Sequence, residues 1–326
     1  MIGYIGRRVL QAIPLLLALV VLNFLLIHAA PGDVLSYIVG DSGADPALAA
    51  QIRHRLGLDL PLHEQLAQYV GGVLTGDLGR SIYFDRPVLN VIIERVPATL
   101  LLMITQLALA ILIGIPLGVA AARRRNTPTD NAISTLSVVG FSIPVFWSAQ
   151  ILILVFAVNL HLVPAQGMTD SRTSHVGLDY WLDLLWHLAL PALTLAVVNT
   201  ALIARITRAS MIETLTREYI VSARAKGLGD AAVVWVHALR NSLLPIVTIV
   251  GLEIGAILAG TVVTETVFAW PGVGRLIYES IARRDYPVIM GGFLLAALGV
   301  LIANLLTDLV YGSLDPRIRI GRRPSS

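Results

Sequence analysis

The chain has 326 residues, 56% of them apolar and 14% charged, with a mean hydropathy of +0.76 and a formal charge of +3. A soluble domain runs nearer about 45–50% apolar and about 25% charged, so this composition belongs in a lipid bilayer. There is no cysteine, which excludes disulfides, thiolate catalysis and cysteine-ligated metal sites.

A bilayer core about 30 Å thick takes about 20 mostly apolar residues in a helix. Six segments reach that length: 9–30, 98–122, 133–159, 186–204, 243–266 and 289–312. The first follows Arg7 and Arg8 and ends in 28-HAAPGD-33, the outline of a cleaved signal peptide. Its apolar run is long for such a peptide, His28 spoils the small-x-small cleavage pattern, and Pro31 follows directly. It is read as a retained span.

Segment 31–97 alternates turn signals (31-PGD-33, 57-GLDLP-61, 76-GDLG-79) with the amphipathic pieces 47-ALAAQIRHRLGL-58 and 62-LHEQLAQYVGGVL-74. Two short helices on a membrane face are expected, either as a structural cap or as a docking surface. In the spans that follow, Pro116 and Pro144 can kink their helices. Gln106, Gln150, Asn199 and Asn304 suit interhelical hydrogen bonds or a weakly hydrated path. Gly251, Gly255 and Ala259 form a small-xxx-small ridge that lets helices approach closely. Glu253 and Asp308 are the acids read as falling clearly inside spans, and an intramembrane acid is a functional candidate by default. Glu253, with Asn199, Gly251 and Gly255, is therefore the candidate lining of a path, and a neighbouring subunit is the other way to satisfy that acid.

Between the fourth and fifth spans runs a basic segment, 205–242. Met211, Leu215, Tyr219 and Ala223 recur every four residues, placing them on one helical stripe. Gly227 is expected to end that helix in a left-handed turn. Asp230 is expected to cap a second helix over 231–243 that buries Val233, Val234, Val236 and Leu239, with Pro245 stopping it or bending it into the next span. Arg224 and Lys226 at this corner suit anionic lipid. The small residues Ala223, Ala225 and Gly227 instead leave a narrow tip suited to a groove in another protein. Further on, Trp270, Pro271, Gly272 and Gly274 are expected to form a rigid turn ahead of a short amphipathic helix.

Lysine and arginine set the orientation. Arg7, Arg8, Arg123–Arg125, six basic residues between Arg205 and Arg240, and four from Arg317 to Arg323 make fifteen of the 24. The positive-inside rule puts both termini and the 123–132 and 205–242 loops in the cytoplasm. The resulting organisation is an N-terminal span (1–30), an extracytoplasmic segment (31–97), a helical domain (98–312) and a cytoplasmic tail (313–326). No G-x-x-x-x-G-K-[ST], H-E-x-x-H or G-x-S-x-G occurs, so a phosphate-cradling loop and the common zinc and serine hydrolase signatures are absent. A self-sufficient secondary transporter or channel remains an alternative, although two intramembrane acids are a thin basis for ion coupling. An intramembrane enzyme has no catalytic pair to support it.

The stretch 219-YIVSARAKGL-228 with 237-HALRNSLLP-245 resembles the EAA loop of ABC-importer permeases of the dipeptide/oligopeptide/nickel group. The segments 7–33, 56-LGLDLP-61, 76-GDLGRS-81, 97-PATLLL-102, 261–288 and 304-NLLTDLVYGSLDPRIR-319 are similar to that group as well, so the resemblance covers nearly the whole chain. It implies an all-α type I importer transmembrane domain with an extra N-terminal helix, in a bacterial inner membrane. It also implies a homologous permease partner in a heterodimer, two ATPases carrying ATP and Mg, an extracytoplasmic solute-binding protein, and no nucleic acid. Glu218, Ala223, Arg224, Ala225, Lys226, Gly227 and Leu228 would meet the ATPases. Trp270, Pro271, Gly272 and Gly274 would lie near the binding protein. The acid of the general EAA pattern falls here at Val221, leaving Glu218 and Arg224 as the available charged substitutes.

Overall fold

The computed structural model describes residues 2–29, 51, 54, 59–170, 172 and 176–314. The expected turn at 31–33, most of the amphipathic piece 47–58 and the basic tail from Arg317 lie outside these residues. So do the side chains of Arg7, Arg8, Glu253, Ala259 and Asp308, and the surroundings of Gly255. In chain order the helices are α1 (Ile2–Ala29), α2 (Leu62–Thr75), α3 (Val88–Ile93), α4 (Val96–Arg123), α5 (Pro128–Ser142), α6 (Val145–Leu152), α7 (Leu178–Leu215), α8 (Glu218–Ala225), α9 (Asp230–Ala232), α10 (Leu239–Val267), α11 (Val273–Ala282) and α12 (Tyr286–Leu314). π-helical turns continue α6 over Ile153–Asn159 and join α9 to α10 over Val233–Ala238. Among the described residues the only strand-like pairing is an isolated bridge between Arg80 and Pro87.

Among the described residues four helical stretches are long and apolar enough to cross a membrane: Val88–Arg123, Leu178–Leu215, Asp230–Gly251 and Tyr286–Leu305. α1 contains a shorter apolar run, Ile13–Leu26. The segment expected as one span over 133–159 is broken into a pair, α5 and α6 with its π-helical continuation, bent by 102°. The break falls where Ile143 turns extended ahead of Pro144, because a residue before proline is pushed out of the α region. Pro116, Pro191 and Pro245 all sit inside unbroken helices. Of the two outcomes expected at Pro245, the helix does not stop there but runs on into the next span.

The chain divides into two compact units, Met1–Thr99 with Pro271–Leu301, and Leu100–Trp270 with Ile302–Ser326. In the first, Val88, Val91 and Ile92 pack against Val273, Leu276, Ile277 and Val288. Asn23 of α1 donates to the Met290 carbonyl at 3.1 Å. The Phe24 and Tyr69 rings stack 6.1 Å apart, and burial pushes the Tyr69 phenol up to about 12.

In the second unit α7 is the central post. Ala110 of α4, Ile203 of α7 and Ile246 of α10 form one core, while Ala149 of α6 meets Leu190 of α7 and Phe268. Where α4 crosses α7 the helices nearly touch. A methyl on Gly118 would stand 2.5 Å from the Ala204 carbonyl oxygen and from Thr207 Cβ, and one on Gly114 would stand 2.9 Å from Ile203. Small residues permit this approach, which in lipid is a main source of helix association. α5 is tied to α7 by an ion pair in which Arg208 Nε and Nη2 donate to the fully buried Asp130 carboxylate at 2.5 and 2.7 Å. Asp130 also accepts the Asn126 amide at 2.9 Å.

Candidate functional site

The corner between α7 and α10 is built on two chain reversals. α7 ends at Leu215 and the backbone turns extended at Arg217 before α8 begins. This break resets the helical phase. Ile220 is therefore fully buried and Tyr219 is 43% exposed, which corrects the expected stripe through Met211, Leu215, Tyr219 and Ala223. At the far end of α8, Gly227 adopts φ +81°. Its amide donates to the Arg224 carbonyl at 2.9 Å, and the Leu228 amide donates to the Ala223 carbonyl at 3.3 Å. That pair of bonds is a Schellman closure, which favours glycine because a left-handed residue with a Cβ is strained.

The helix restarts with Gly229 at the cap position and Asp230 as its first residue, making no side-chain cap bond. The Asp230 carboxylate instead accepts from Arg123 Nη2 at 2.5 Å and lies 3.8 Å from Arg224. From Val233 the helix widens to a π turn, which puts Val233, Val234 and Ala238 inside and leaves Val236 58% exposed. The expectation that Val236 is buried followed α periodicity and fails for that reason.

Packing anchors this corner. Ile220, Ala223, Val233, Val234 and Ala238 form one core with Met211 of α7 and with Val119 and Ala122 of α4. Each large apolar side chain buried this way contributes about 1.5–3 kcal/mol, whereas a half-exposed pair such as Arg123–Asp230 contributes about 0–1 kcal/mol. The stems are also joined. The buried Ser242 hydroxyl donates to the Ala238 carbonyl at 2.9 Å and bonds Thr214 Oγ1 at 2.9 Å, and Ser210 donates to the Ser242 carbonyl at 3.1 Å. Corner, stems and the end of α4 thus form one packed body.

Of the residues singled out from sequence, Glu218, Arg224, Ala225, Lys226, Gly227 and Leu228 are exposed together. Ala223 is buried and belongs to the core, so it does not form part of the tip. Sequence reasoning missed the apolar members of the exposed surface, Tyr219, Val221, Trp235 and Val236, because the phase reset and the π turn leave no signature in spacing. Apolar side chains flanked by cations favour a protein groove over water. Among the described residues no group of three His, Asp or Glu could hold a metal ion.

The other candidates lie on other elements. Asn199 is buried and donates to Gln106 Oε1 at 2.9 Å, joining α7 to α4. Gly251 presses on α12, where a methyl would meet Thr307 at 2.0 Å. Glu253 and Gly255 lie within α10. Glu265, passed over in the sequence although it stands inside the 243–266 window, is completely buried. Trp270, Gly272 and Gly274 are buried and Pro271 is half-buried, so they support the turn from within, and Tyr278 and Ile281 supply the exposed face of α11.

Comparison with known proteins gives the family of the chain. Residues 1–104 match the family described as the N-terminal part of the binding-protein-dependent transport system membrane component, and residues 114–320 match the binding-protein-dependent transport system inner membrane component. The di/tripeptide transport system permease protein DppB of Pseudomonas aeruginosa is 41% identical, over 98% of this chain and 99% of the relative. The dipeptide transport system permease protein DppB of Escherichia coli K12 is 40% identical over the same shares. The glutathione transport system permease protein GsiC of Salmonella choleraesuis is 41% identical over 98% and 99%. Among solved structures, a chain of the MetNI methionine ABC transporter in an inward facing conformation superposes with a TM-score of 0.56 at 18% identity, covering 68% of this chain and 95% of that one.

Proposed function

The chain belongs to the binding-protein-dependent transport system inner membrane components, and from that premise we propose that it forms half of the path of an ATP-driven peptide importer. The observation that carries the reading is identity of 40–41% along nearly the full length of relatives named as di- and tripeptide permeases. We place both termini and the 205–242 segment in the cytoplasm, as the loop cations favour. Residues 59–95 and 271–285 then lie on the opposite side. This chain supplies no phosphate-cradling loop, so ATP and Mg belong to two partner ATPases, and a second, homologous permease completes the path.

The exposed surface of Glu218, Tyr219, Val221, Arg224–Leu228, Trp235 and Val236 is the seat for an ATPase. Its movement passes into the membrane because the corner is continuous with three helices. Val119 and Ala122 carry it to α4, Met211 and the Ser210–Ser242 bonds carry it to α7, and the unbroken run from Asp230 carries it to α10. Rigid-body displacement of a docked element is a general means of switching. The extracytoplasmic face receives a solute-binding protein, which delivers the peptide. Affinity purification of the tagged chain from its native membrane tests this assembly. The expected product contains a second permease and two copies of ATPase with phosphate-cradling loops, identified by mass spectrometry. A chain that purifies alone, or only with copies of itself, contradicts the proposal.

A further inference from the structure

Two stretches far apart in sequence, 76–88 and 283–288, meet at one buried carboxylate. Asp285 is 1% exposed. Its Oδ2 accepts the Ser81 hydroxyl at 2.5 Å and the Tyr83 amide at 3.2 Å, and its Oδ1 accepts the Ile82 amide at 3.2 Å. The Ser81 hydroxyl oxygen in turn accepts the Phe84 amide at 2.9 Å. The loop is closed on itself as well: the Ser81 amide donates to the Arg86 carbonyl at 2.9 Å and the Val88 amide to the Gly79 carbonyl at 3.0 Å. Hydrogen bonds to a charged group are stronger than neutral ones, and a buried carboxylate that loses its donors is costly.

What this clasp holds up is an exposed pair. Tyr83 is 53% exposed, and the Arg283 guanidinium lies over its ring at 4.0 Å. Asp285 thus fixes the backbone beneath the ring, while a residue two positions before it covers the ring's face. Around the pair stand the exposed Arg284, Arg80 with its partner Asp85, and Arg86 with its partner Glu94. An aromatic ring among arginines is the composition of a protein-contact anchor.

We infer that Asp285 is a positioning residue that presents the Tyr83–Arg283 pair to the extracytoplasmic solute-binding protein. This rests on the importer reading above, which places the loop on that side. The exposed Arg284 suits an acidic group on the partner, and charge complementarity of this kind sets encounter and register.

The test uses the complete transporter in lipid nanodiscs, with ATPase rate measured against the concentration of its binding protein. Asp285→Asn is expected to raise the half-maximal concentration by about tenfold, with the maximal stimulated rate kept, as loss of one pre-formed contact predicts. Hydrogen exchange at the Ile82 and Tyr83 amides should quicken in the same variant. Tyr83→Ala should give the same rise in half-maximal concentration with those amides still protected. Should Asp285→Asn fail to assemble, Ser81→Ala carries the test, with a smaller rise in the same direction. An unshifted half-maximal concentration in Asp285→Asn or in Tyr83→Ala overturns the positioning role while leaving the importer reading intact. A wild-type complex that no extracytoplasmic binding protein stimulates overturns the importer reading itself, and the inference with it.

Discussion

Gly227 separates what the corner needs for its own fold from what it needs for a partner. Its φ of +81° penalises any L side chain, yet among the described residues, its two chain neighbours aside, nothing lies within 4 Å of where its Cβ would stand. Forcing a left-handed conformation on an ordinary residue costs about 1–2 kcal/mol, and less for asparagine. Alanine and tryptophan share the backbone penalty, and with open space around the position the larger ring adds little within the chain. Gly227→Ala and Gly227→Trp are therefore expected to lower the unfolding midpoint of the solubilised permease by similar amounts, and Gly227→Asn by less. On assembly they part company, because a surface that seats in a groove tolerates a methyl far better than an indole. The assay is the amount of ATPase retained per tagged permease after washing, beside thermal unfolding of the same samples. Gly227→Trp should lose the ATPases while Gly227→Asn keeps them. Equal retention by both variants would refute the docking assignment, and selective unfolding of the tryptophan variant would refute the claim that the space around Gly227 is open.

Three further outcomes follow from the packing. Ile220→Ala should destabilise the permease by about 2–5 kcal/mol, as deletions of fully buried aliphatics do, whereas Tyr219→Ala should stay within about 0.5 kcal/mol and act on ATPase retention instead; chemical unfolding and pull-down separate the two. Gly118→Ala should cost about 1–3 kcal/mol by overpacking the α4–α7 crossing, since the new methyl meets a backbone oxygen that cannot rotate away; an unchanged midpoint would mean the helices are not so close. Asp130→Ala should cost several kcal/mol, about 3–5 for a buried pair that loses one partner, reduced because Arg208 keeps 29% exposure. Asp130→Ala combined with Arg208→Met should recover most of that loss in a double-mutant cycle.

The architecture was legible where a physical requirement leaves a mark at short range. Apolar length marked the helices, and Gly227 marked the left-handed turn because few other residues occupy it without strain. Legibility failed wherever phase or distance intervened. The break at Arg217 and the π turn at Val233–Ala238 shift which residues face inward, so Tyr219 leaves the stripe it was expected to share with Met211, and Val236, expected inside, is exposed. Pro144 was visible as a proline, but the size of the bend there, 102°, was not. The buried pair of Asp130 with Arg208 and the clasp of Ser81 with Asp285 join residues 78 and 204 positions apart. No periodicity connects such residues, and only the fold brings them together. Ala223 was read as part of an exposed tip because small residues suit narrow tips. They suit tightly packed cores equally well, and here the core claims it.

Uptake into proteoliposomes decides whether this chain carries peptides only as half of an ATP-driven machine. The chain is reconstituted with and without its permease and ATPase partners, and labelled dipeptide entry is measured with ATP at the ATPase face or with an imposed proton or sodium gradient. ATP-dependent uptake is expected from the full assembly in the presence of its binding protein, and none from this chain alone under either gradient. Gradient-driven uptake by the isolated chain would contradict that expectation.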